Sequence, residues 1–151
     1  MTDELTAEPE KGFVFATTGE SYTILARRAA RSLRAVMPRA AIDLFTDQAV
    51  DDVVFDQIHG LAHNGHRPKM EALRRSRFAR TIYLDADVMV LTDISEVFDL
   101  LDGYDLAAAL GGNRSQQMVP PDDGLPRAFP VVNSGVIAAR SSPRLAAFLT
   151  E

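Results

Sequence analysis

The stretch that decides the fold is "TIYLDADVMVLTDI", residues Thr81 to Ile94. Its apolar runs, Ile-Tyr-Leu and Val-Met-Val-Leu, are typical of a buried strand, yet Asp85 and Asp87 stand between them. A carboxylate in a core is costly unless a cation or a hydrogen-bond donor compensates its charge. The chain must therefore end the strand at this point or bring a cation to it.

The composition limits the classes of protein and of site. The 151 residues are 46% hydrophobic and carry a formal net charge of -5, which suits one globular domain with its own core. The acidic balance disfavours nucleic acid or an anionic membrane as the principal partner. Because the sequence has no cysteine, disulfides and thiolate metal sites are excluded, and a metal must bind oxygen or imidazole.

The beginning of the sequence, residues 1–11, is acidic and polar and has no periodic apolar face. We expect it to be a disordered leader before a single domain over residues 12–151. It does not resemble a signal peptide, and no segment is long and apolar enough to span a bilayer. We therefore expect a soluble, cytoplasmic protein with no membrane span.

Strand and helix patterns alternate along the rest of the chain, with one long polar loop predicted at Gly111–Arg127. The first helix should present Tyr22 and Leu33 on its apolar face. The predicted elements are, in order, a strand at Gly12–Thr18, a helix capped by Ser21 and stopped by Pro38, strands at Ala40–Asp47 and Asp52–Ile58, a helix from Pro68, the quoted strand, a short helix or turn at Asp93–Leu101, strands at Tyr104–Leu110 and Phe129–Arg140, and a last helix from Ser141.

This alternation predicts an α/β fold with a mainly parallel sheet flanked by helices. In such sheets ligands bind beyond the carboxyl ends of the strands. Polar residues end several of the apolar strands here, so we expect them to converge on one crevice: Asp47, Asp85, Asp87 and the turn Thr17-Thr18-Gly19.

The Asp-Ala-Asp triplet is the feature that indicates chemistry. Residues two apart in an extended chain point the same way, so Asp85 and Asp87 can share one ligand. Paired carboxylates suit Mg²⁺ or Mn²⁺, which commonly complete their coordination with phosphate oxygens. No Walker or Rossmann glycine pattern follows a strand as an alternative phosphate site. The alternative reading is that these residues only terminate a strand or cap a helix.

The motif and its surroundings resemble a known family. "YLDADVMV", with "RTIYL" before it, "VLTDISEVFDL" after it and "FPVVNSGV" downstream, is similar to the nucleotide-diphospho-sugar glycosyltransferases of the GT-A fold. The likeness is to glycosyltransferase family 8, the group of glycogenin and bacterial lipopolysaccharide sugar transferases. An early strand with two threonines, a strand ending in "LFTD" and the helix "PKMEALRRSRF" follow in the family's order.

The resemblance implies a UDP-sugar or related donor, an unknown carbohydrate, lipid or protein acceptor, Mn²⁺ or Mg²⁺ as cofactor, and retention of the sugar's configuration. It also implies a third metal ligand, a histidine in a region beyond Glu151, so we expect a fragment truncated at the C-terminus or an unusually short member. The residues it implies are Ala16, Thr17, Thr18, Tyr22 and Asp47 for the nucleotide, Lys69 and Arg74 for the phosphates, Asp85 for metal and ribose, Asp87 for metal, and Asn133, Ser134 and Gly135 for the sugar or acceptor pocket.

Simpler readings of these residues stay open. Lys69 and Arg74 also fit a solvated helix face. Asn133-Ser134-Gly135 also fits a bulge in a strand, with Gly135 supplying conformational freedom. The histidines at positions 59, 63 and 66 surround two glycines, and we expect solvated loop histidines rather than a metal site.

Rival functions also stay open. An inverting route would need a carboxylate base, for which Asp122 and Asp123 in the long loop are candidates. A magnesium-dependent phosphohydrolase of the haloacid dehalogenase type also uses Asp-x-Asp, but Met89 stands where that family has an alcohol or a small β-branched residue. A catalytically silent nucleotide-sugar-binding module or scaffold domain is the alternative outside enzymes.

Overall fold

One six-stranded sheet with the strand order β3-β2-β1-β4-β6-β5 organises the protein. The structure, a computed structural model, describes residues 9–62, 67–111 and 130–150. Its elements are β1 (Lys11–Thr17), α1 (Glu20–Val36), β2 (Ile42–Thr46), β3 (Gln57–Gly60), α2 (Pro68–Arg75), β4 (Arg80–Leu84), a 3-10 helix (Ser95–Asp102), β5 (Leu106–Leu110), β6 (Val132–Arg140) and α3 (Pro143–Phe148).

The strands pair in the mainly parallel manner that the sequence predicts. Strand β1 is parallel to β2 and to β4, and β2 is parallel to β3. Among the described strands, β6 alone runs the other way, antiparallel to β4 and to β5. The carboxyl ends of β1, β2 and β4 therefore meet at one edge, and the predicted α/β architecture of a central sheet flanked by helices is confirmed.

Both faces of the sheet are covered, which explains the continuous apolar run of β1. Phe13 and Phe15 point to the face on which α1 packs through Ala26, Ala30 and Leu33. Val14 and Ala16 point to the other face, where α2 contributes Ala72 and Leu73. A strand buried on both faces cannot alternate apolar with polar residues, so the sequence of β1 is continuously apolar.

The quoted stretch ends its strand at the first carboxylate. Strand β4 stops at Leu84, and Ala86 and Asp87 form a turn. The run Val88–Leu91, which the sequence analysis treats as strand, is irregular, and Met89 and Leu91 are 68% and 79% exposed. Of the two alternatives stated at the outset, the strand ends. The predicted strand Asp52–Ile58 is likewise displaced, because Asp52 caps a turn and β3 begins only at Gln57.

Helix α1 begins without the predicted cap. Ser21 lies inside the helix, and the N-cap residue is Gly19, which makes no side-chain hydrogen bond. Gly19 has φ of 78°, a left-handed conformation that favours glycine. Its N–H donates to the Asp47 carboxylate over 2.8 Å. The Ser21 prediction is wrong because a residue 28 positions away supplies the hydrogen-bond acceptor at this helix start.

The remaining sequence expectations meet the structure in part. Strand β1 begins at Lys11, the last residue of the predicted leader, and residues 1–8 lie outside the described residues. The predicted loop also lies outside them from residue 112 onward, together with its carboxylates Asp122 and Asp123. No helix in the described part of the chain has the length and apolarity needed to cross a membrane.

Candidate functional site

A crevice opens at the carboxyl ends of β1 and β4. Its cavity has a volume of about 240 Å³. Four elements supply its walls: the end of β1 with its turn, the first turn of α1, the first turn of α2, and the end of β4. The lining residues are Ala16, Thr17, Thr18, Tyr22, Pro68, Tyr83, Asp85, Ala86 and Asp87.

A buried triangle of threonine hydroxyls supports the β1 wall. The Oγ1 atoms of Thr17, Thr23 and Thr46 lie 2.9 to 3.2 Å apart. Thr23 Oγ1 also donates to the Gly19 carbonyl oxygen over 2.9 Å. Each hydroxyl has one hydrogen to donate, so Thr17 can donate to Thr46, Thr46 to Thr23 and Thr23 to the Gly19 carbonyl, a chain that satisfies all three donors and ties the β1–α1 turn to β2.

Asp47 holds the same turn from the outside. It does not line the cavity, and its carboxylate accepts hydrogen bonds from the Gly19 N–H and the Gln48 amide. The Gln48 and Gly19 bonds hold the pKa of Asp47 below its ordinary value. The sequence expectation placed Asp47 at the nucleotide, and the structure places it directly behind the turn that faces the crevice.

Asp85 has two carboxylate oxygens with different surroundings. Its Oδ1 accepts hydrogen bonds from the Tyr83 hydroxyl at 2.8 Å and the Lys69 ammonium at 3.0 Å. Its Oδ2 accepts none from the described residues. Asp87, two residues further along, is exposed, and its carboxylate also has no hydrogen-bond donor among the described residues. As far as the described residues show, three carboxylate oxygens at the crevice have no hydrogen-bond donor.

These oxygens fit a hard divalent cation. Mg²⁺ and similar ions bind through one or two carboxylates and take their other ligands from phosphate and water. The described residues contain no group of three or more histidine, aspartate, glutamate or cysteine side chains that could hold a metal by themselves. Asp85 and Asp87 could supply only part of a ligand set, which is the arrangement expected for a metal that arrives with a diphosphate.

Lys69 joins α2 to both sides of the site. Its Nζ donates to Asp85 Oδ1, to the Ser134 carbonyl oxygen at 3.2 Å and to Ser134 Oγ at 3.0 Å. An ammonium group has three hydrogens, so these contacts use all of them. Lys69 is thus directed at the protein, and the simple reading of a solvated lysine is wrong. Arg74, by contrast, is exposed on α2 and does not line the crevice.

The Asn133-Ser134-Gly135 segment is a bulge, as the simpler reading proposes, and it also lies against the site. The β6 partner of β5 jumps from Ile137 to Asn133 between two successive β5 residues. On its other side the segment stays attached to the crevice, because the Asp85 N–H donates to the Gly135 carbonyl oxygen over 2.9 Å. A Cβ added to Gly135 would lie 3.5 Å from Asp85 Oδ2.

Tyr83 is a site residue that sequence reasoning missed. Tyr83 lines the crevice, is only 2% exposed, and donates a hydrogen bond from its hydroxyl to Asp85. Burial raises the pKa of Tyr83, and the hydrogen bond to Asp85 and the negative charges of both aspartates raise it further. A signal was present in the sequence: Tyr83 and Asp85 are two apart at the end of a strand, where alternate side chains share a face.

His59 is not a loop histidine. It lies in β3, its ring stacks on Phe45 at 4.5 Å between centroids, and its Nε2 lies 3.1 Å from Asp43 Oδ2. Asp43 is fully buried and also accepts two hydrogen bonds from Arg77. That expectation is therefore wrong for His59, and the other two histidines lie outside the described residues.

Comparison with known proteins shows what this fold is similar to. No protein-family model and no curated protein matches the sequence. Among solved structures, the glycosyltransferase GlyE of Streptococcus pneumoniae TIGR4 matches with a TM-score of 0.63 at 19% identity, over 88% of this chain and 34% of its own.

The galactosyltransferase LgtC in complex with donor and acceptor sugar analogues matches with a TM-score of 0.59 at 17% identity, over 93% of this chain and 60% of its own. An active-site mutant of LgtC gives a TM-score of 0.62 at 18% identity, over 93% of this chain and 59% of its own. The chain thus spans between 34% and 60% of the lengths of these proteins. The resemblance to GT-A glycosyltransferases is confirmed at the level of the fold.

Proposed function

We propose that this chain forms the donor-binding part of a glycosyltransferase that moves a sugar from a nucleotide diphosphate, a UDP-sugar in the first instance, to a carbohydrate, lipid or protein acceptor. One observation carries the proposal. At the carboxyl ends of β1 and β4, carboxylate oxygens of Asp85 and Asp87 that accept no hydrogen bond from the described residues face the Thr17–Tyr22 wall across one cavity.

The nucleotide would lie along the β1 wall. Tyr22, which the sequence pattern placed on the apolar face of α1, is instead 61% exposed in the first turn of this half-buried helix, so its ring offers a stacking surface to a base. Thr17 and Thr18 border the same cavity beside Ala16, whose small side chain leaves room for a ribose. We assign Asp47 to holding this wall through Gly19, and not to a direct contact with the nucleotide.

The diphosphate and its metal would lie at the β4 end. Asp87 and the free oxygen of Asp85 would hold Mn²⁺ or Mg²⁺, which neutralises charge on the leaving diphosphate when it is bound. The Lys69 ammonium lies beside Asp85 and donates all three of its hydrogens to Asp85 and Ser134. We therefore assign to Lys69 an electrostatic contribution and not a direct hydrogen bond to phosphate. Arg74 has no place in this arrangement.

The bulge would border the sugar. Asn133, Ser134 and Gly135 adjoin Asp85 on the side away from β1, where the sugar of a donor bound in this direction would extend. We propose retention of configuration from the family resemblance and a cytoplasmic location, with which a sequence without cysteine is compatible. Both belong to the proposal.

Isothermal titration calorimetry with UDP and GDP, each with and without Mn²⁺, tests the donor site. We expect Mn²⁺-dependent binding of UDP, weakened at least about tenfold by Asp87→Ala. Asp99→Ala is the matched control, because Asp99 is an exposed aspartate on the 3-10 helix away from the crevice. Equal binding by both variants, or no binding by the wild type, would reject the donor site.

A catalytically silent nucleotide-sugar-binding module is the second candidate. It is favoured by the incomplete metal ligand set among the described residues. Release of UDP from a UDP-sugar in the presence of Mn²⁺ separates the two, since an enzyme turns over and a silent module binds without turnover. Release of inorganic phosphate without an acceptor would indicate a phosphohydrolase.

A further inference from the structure

We propose that Tyr83 and Lys69 form a positioning pair that holds Asp85 Oδ1 and so reserves Asp85 Oδ2 for the metal-bound donor. The inference rests on the proposed function and adds to it two residues that act through Asp85. Neither residue needs to contact the donor itself. What matters is that both donors converge on one oxygen of one carboxylate.

The core fixes the position of the Tyr83 hydroxyl. The ring is packed among buried residues of the α2 face, including Val14, Phe45 and Leu73, and the residue is 2% exposed. A ring held this way has little freedom to move its hydroxyl away from the end of β4. The 2.8 Å bond to Asp85 Oδ1 is therefore set by packing.

Lys69 reaches the same oxygen from α2, a different element from the strand that carries Tyr83. Its Nζ lies 5.2 Å from the centroid of the Tyr83 ring and bonds Asp85 Oδ1 at 3.0 Å. The two bonds to Ser134 keep the ammonium from turning towards solvent. The α2 helix, the end of β4 and the β6 bulge thus share one charged hydrogen-bond centre.

This arrangement removes a freedom that a lone aspartate would have. The terminal torsion of an aspartate side chain is broad and roughly two-fold, so its two oxygens exchange places easily. The Lys69 ammonium and the Tyr83 hydroxyl both donate to Oδ1, and these hydrogen bonds to a charged oxygen stabilise one orientation of the Asp85 carboxylate. Oδ2 then faces the space beside Gly135, where a Cβ would lie only 3.5 Å away, and stays open to a ligand. A metal site of this kind requires ligands held within a fraction of an ångström.

The test uses Tyr83→Phe, which removes one oxygen and keeps the ring. Its matched control is Tyr104→Phe, because Tyr104 is 65% exposed and lies at a separate cavity bordered by α3. We would measure the Kd of UDP with Mn²⁺ by calorimetry, at a temperature where thermal unfolding shows every variant folded. We expect about tenfold weaker binding for Tyr83→Phe, since a hydrogen bond to a charged group is lost, and a change below about twofold for Tyr104→Phe.

Lys69→Gln is a second variant that keeps the proposal testable if Tyr83→Phe fails to fold. It too should weaken binding, and the double variant should lose less than the product of the two single losses, because both residues act on one oxygen. The ¹³C shift of the Asp85 carboxylate, measured without nucleotide, should move in both single variants and stay in place in Tyr104→Phe.

The outcomes separate the two proposals. If the wild type binds UDP and Tyr83→Phe and Lys69→Gln bind as tightly as Tyr104→Phe, the positioning role is overturned and the donor site stands. If these variants lower the unfolding temperature without changing Kd, their role is structural only and the inference is again overturned. If the wild type itself does not bind, the donor site fails, and the inference falls with it.

Discussion

Replacing Gly12 by alanine tests the packing that brings α2 and β4 together. Gly12 is the second residue of β1, and the ring of Phe78 lies flat against it. A Cβ at this position would be 2.3, 2.4 and 2.5 Å from three carbon atoms of that ring, whereas non-bonded carbons prefer about 3.5–4.0 Å. Phe78 is 1% exposed, so its ring has no open space into which to move.

The expected cost follows from overpacking of a filled core. Inserting one methyl group into such a core typically costs about 1–3 kcal/mol. The replacement of glycine in a strand by alanine returns about 0.5–1 kcal/mol of this through backbone entropy. Because the contacts would be as short as 2.3 Å, we expect the upper half of the overpacking range and a net cost of about 1–2.5 kcal/mol, which at about 2–4 °C per kcal/mol lowers the unfolding temperature by about 2–10 °C. Differential scanning calorimetry and urea unfolding measure both quantities.

A control and a rescue make the result decisive. Gly103→Ala adds the same methyl group where no atom lies within 4 Å and where φ is -107°, so it should leave stability nearly unchanged. The double variant Gly12→Ala, Phe78→Leu should recover part of the loss, because leucine lacks the ring atoms that clash. If Gly12→Ala unfolds at the temperature of Gly103→Ala, the placement of Phe78 against β1 is refuted.

Three further predictions concern charge and access. Arg77→Met removes the bidentate partner of buried Asp43 and should cost about 3–5 kcal/mol in urea unfolding; a cost below about 1 kcal/mol would contradict the pairing. Burial raises the pKa of Asp52, but hydrogen bonds, of which the one from Arg27 is the largest, outweigh burial and hold the pKa below 3.8. The ionised carboxylate therefore stabilises the folded state above pH 3.8, and this contribution to folding stability is lost as pH falls through the folded-state pKa. Asp52→Asn should therefore flatten the acid loss of stability measured between about pH 5 and pH 2, and an unchanged slope would oppose this assignment. Gly135→Ala would place a methyl group 3.1 Å from Asn133 Oδ1 and 3.5 Å from Asp85 Oδ2, in space assigned to the donor, and should weaken Mn²⁺-dependent UDP binding about threefold or more with little change in unfolding temperature, whereas unaltered binding would oppose placing the donor beside Gly135.

Local sequence patterns were sufficient to predict most of the sheet and the position of the candidate site. The unbroken apolar run of β1 indicates a strand buried on both faces, and the structure confirms it. The carboxylates after Leu84 mark the end of a strand because an uncompensated charge cannot continue into a core. Parallel topology then brings the ends of β1 and β4 to one edge, which is how Asp85 comes to face the Thr17 wall.

Features that depend on distant partners could not be read from one sequence. The start of α1 depends on Asp47, which lies 28 residues beyond Gly19, and no local cap pattern reports it. His59 pairs with Asp43 only because β2 and β3 align in register. A lysine on a helix with charged neighbours looks solvated, and only the fold shows that Lys69 turns inward.

We propose that the crevice at the ends of β1 and β4 binds a nucleotide-sugar together with a divalent metal. A crystal structure of the protein with UDP and Mn²⁺, with the metal located from its anomalous signal, tests it most directly. We predict a metal peak about 2.1 Å from carboxylate oxygens of Asp85 and Asp87, with the nucleotide against Thr17 and Tyr22. A peak at any other place, or UDP bound away from this crevice, would contradict the account.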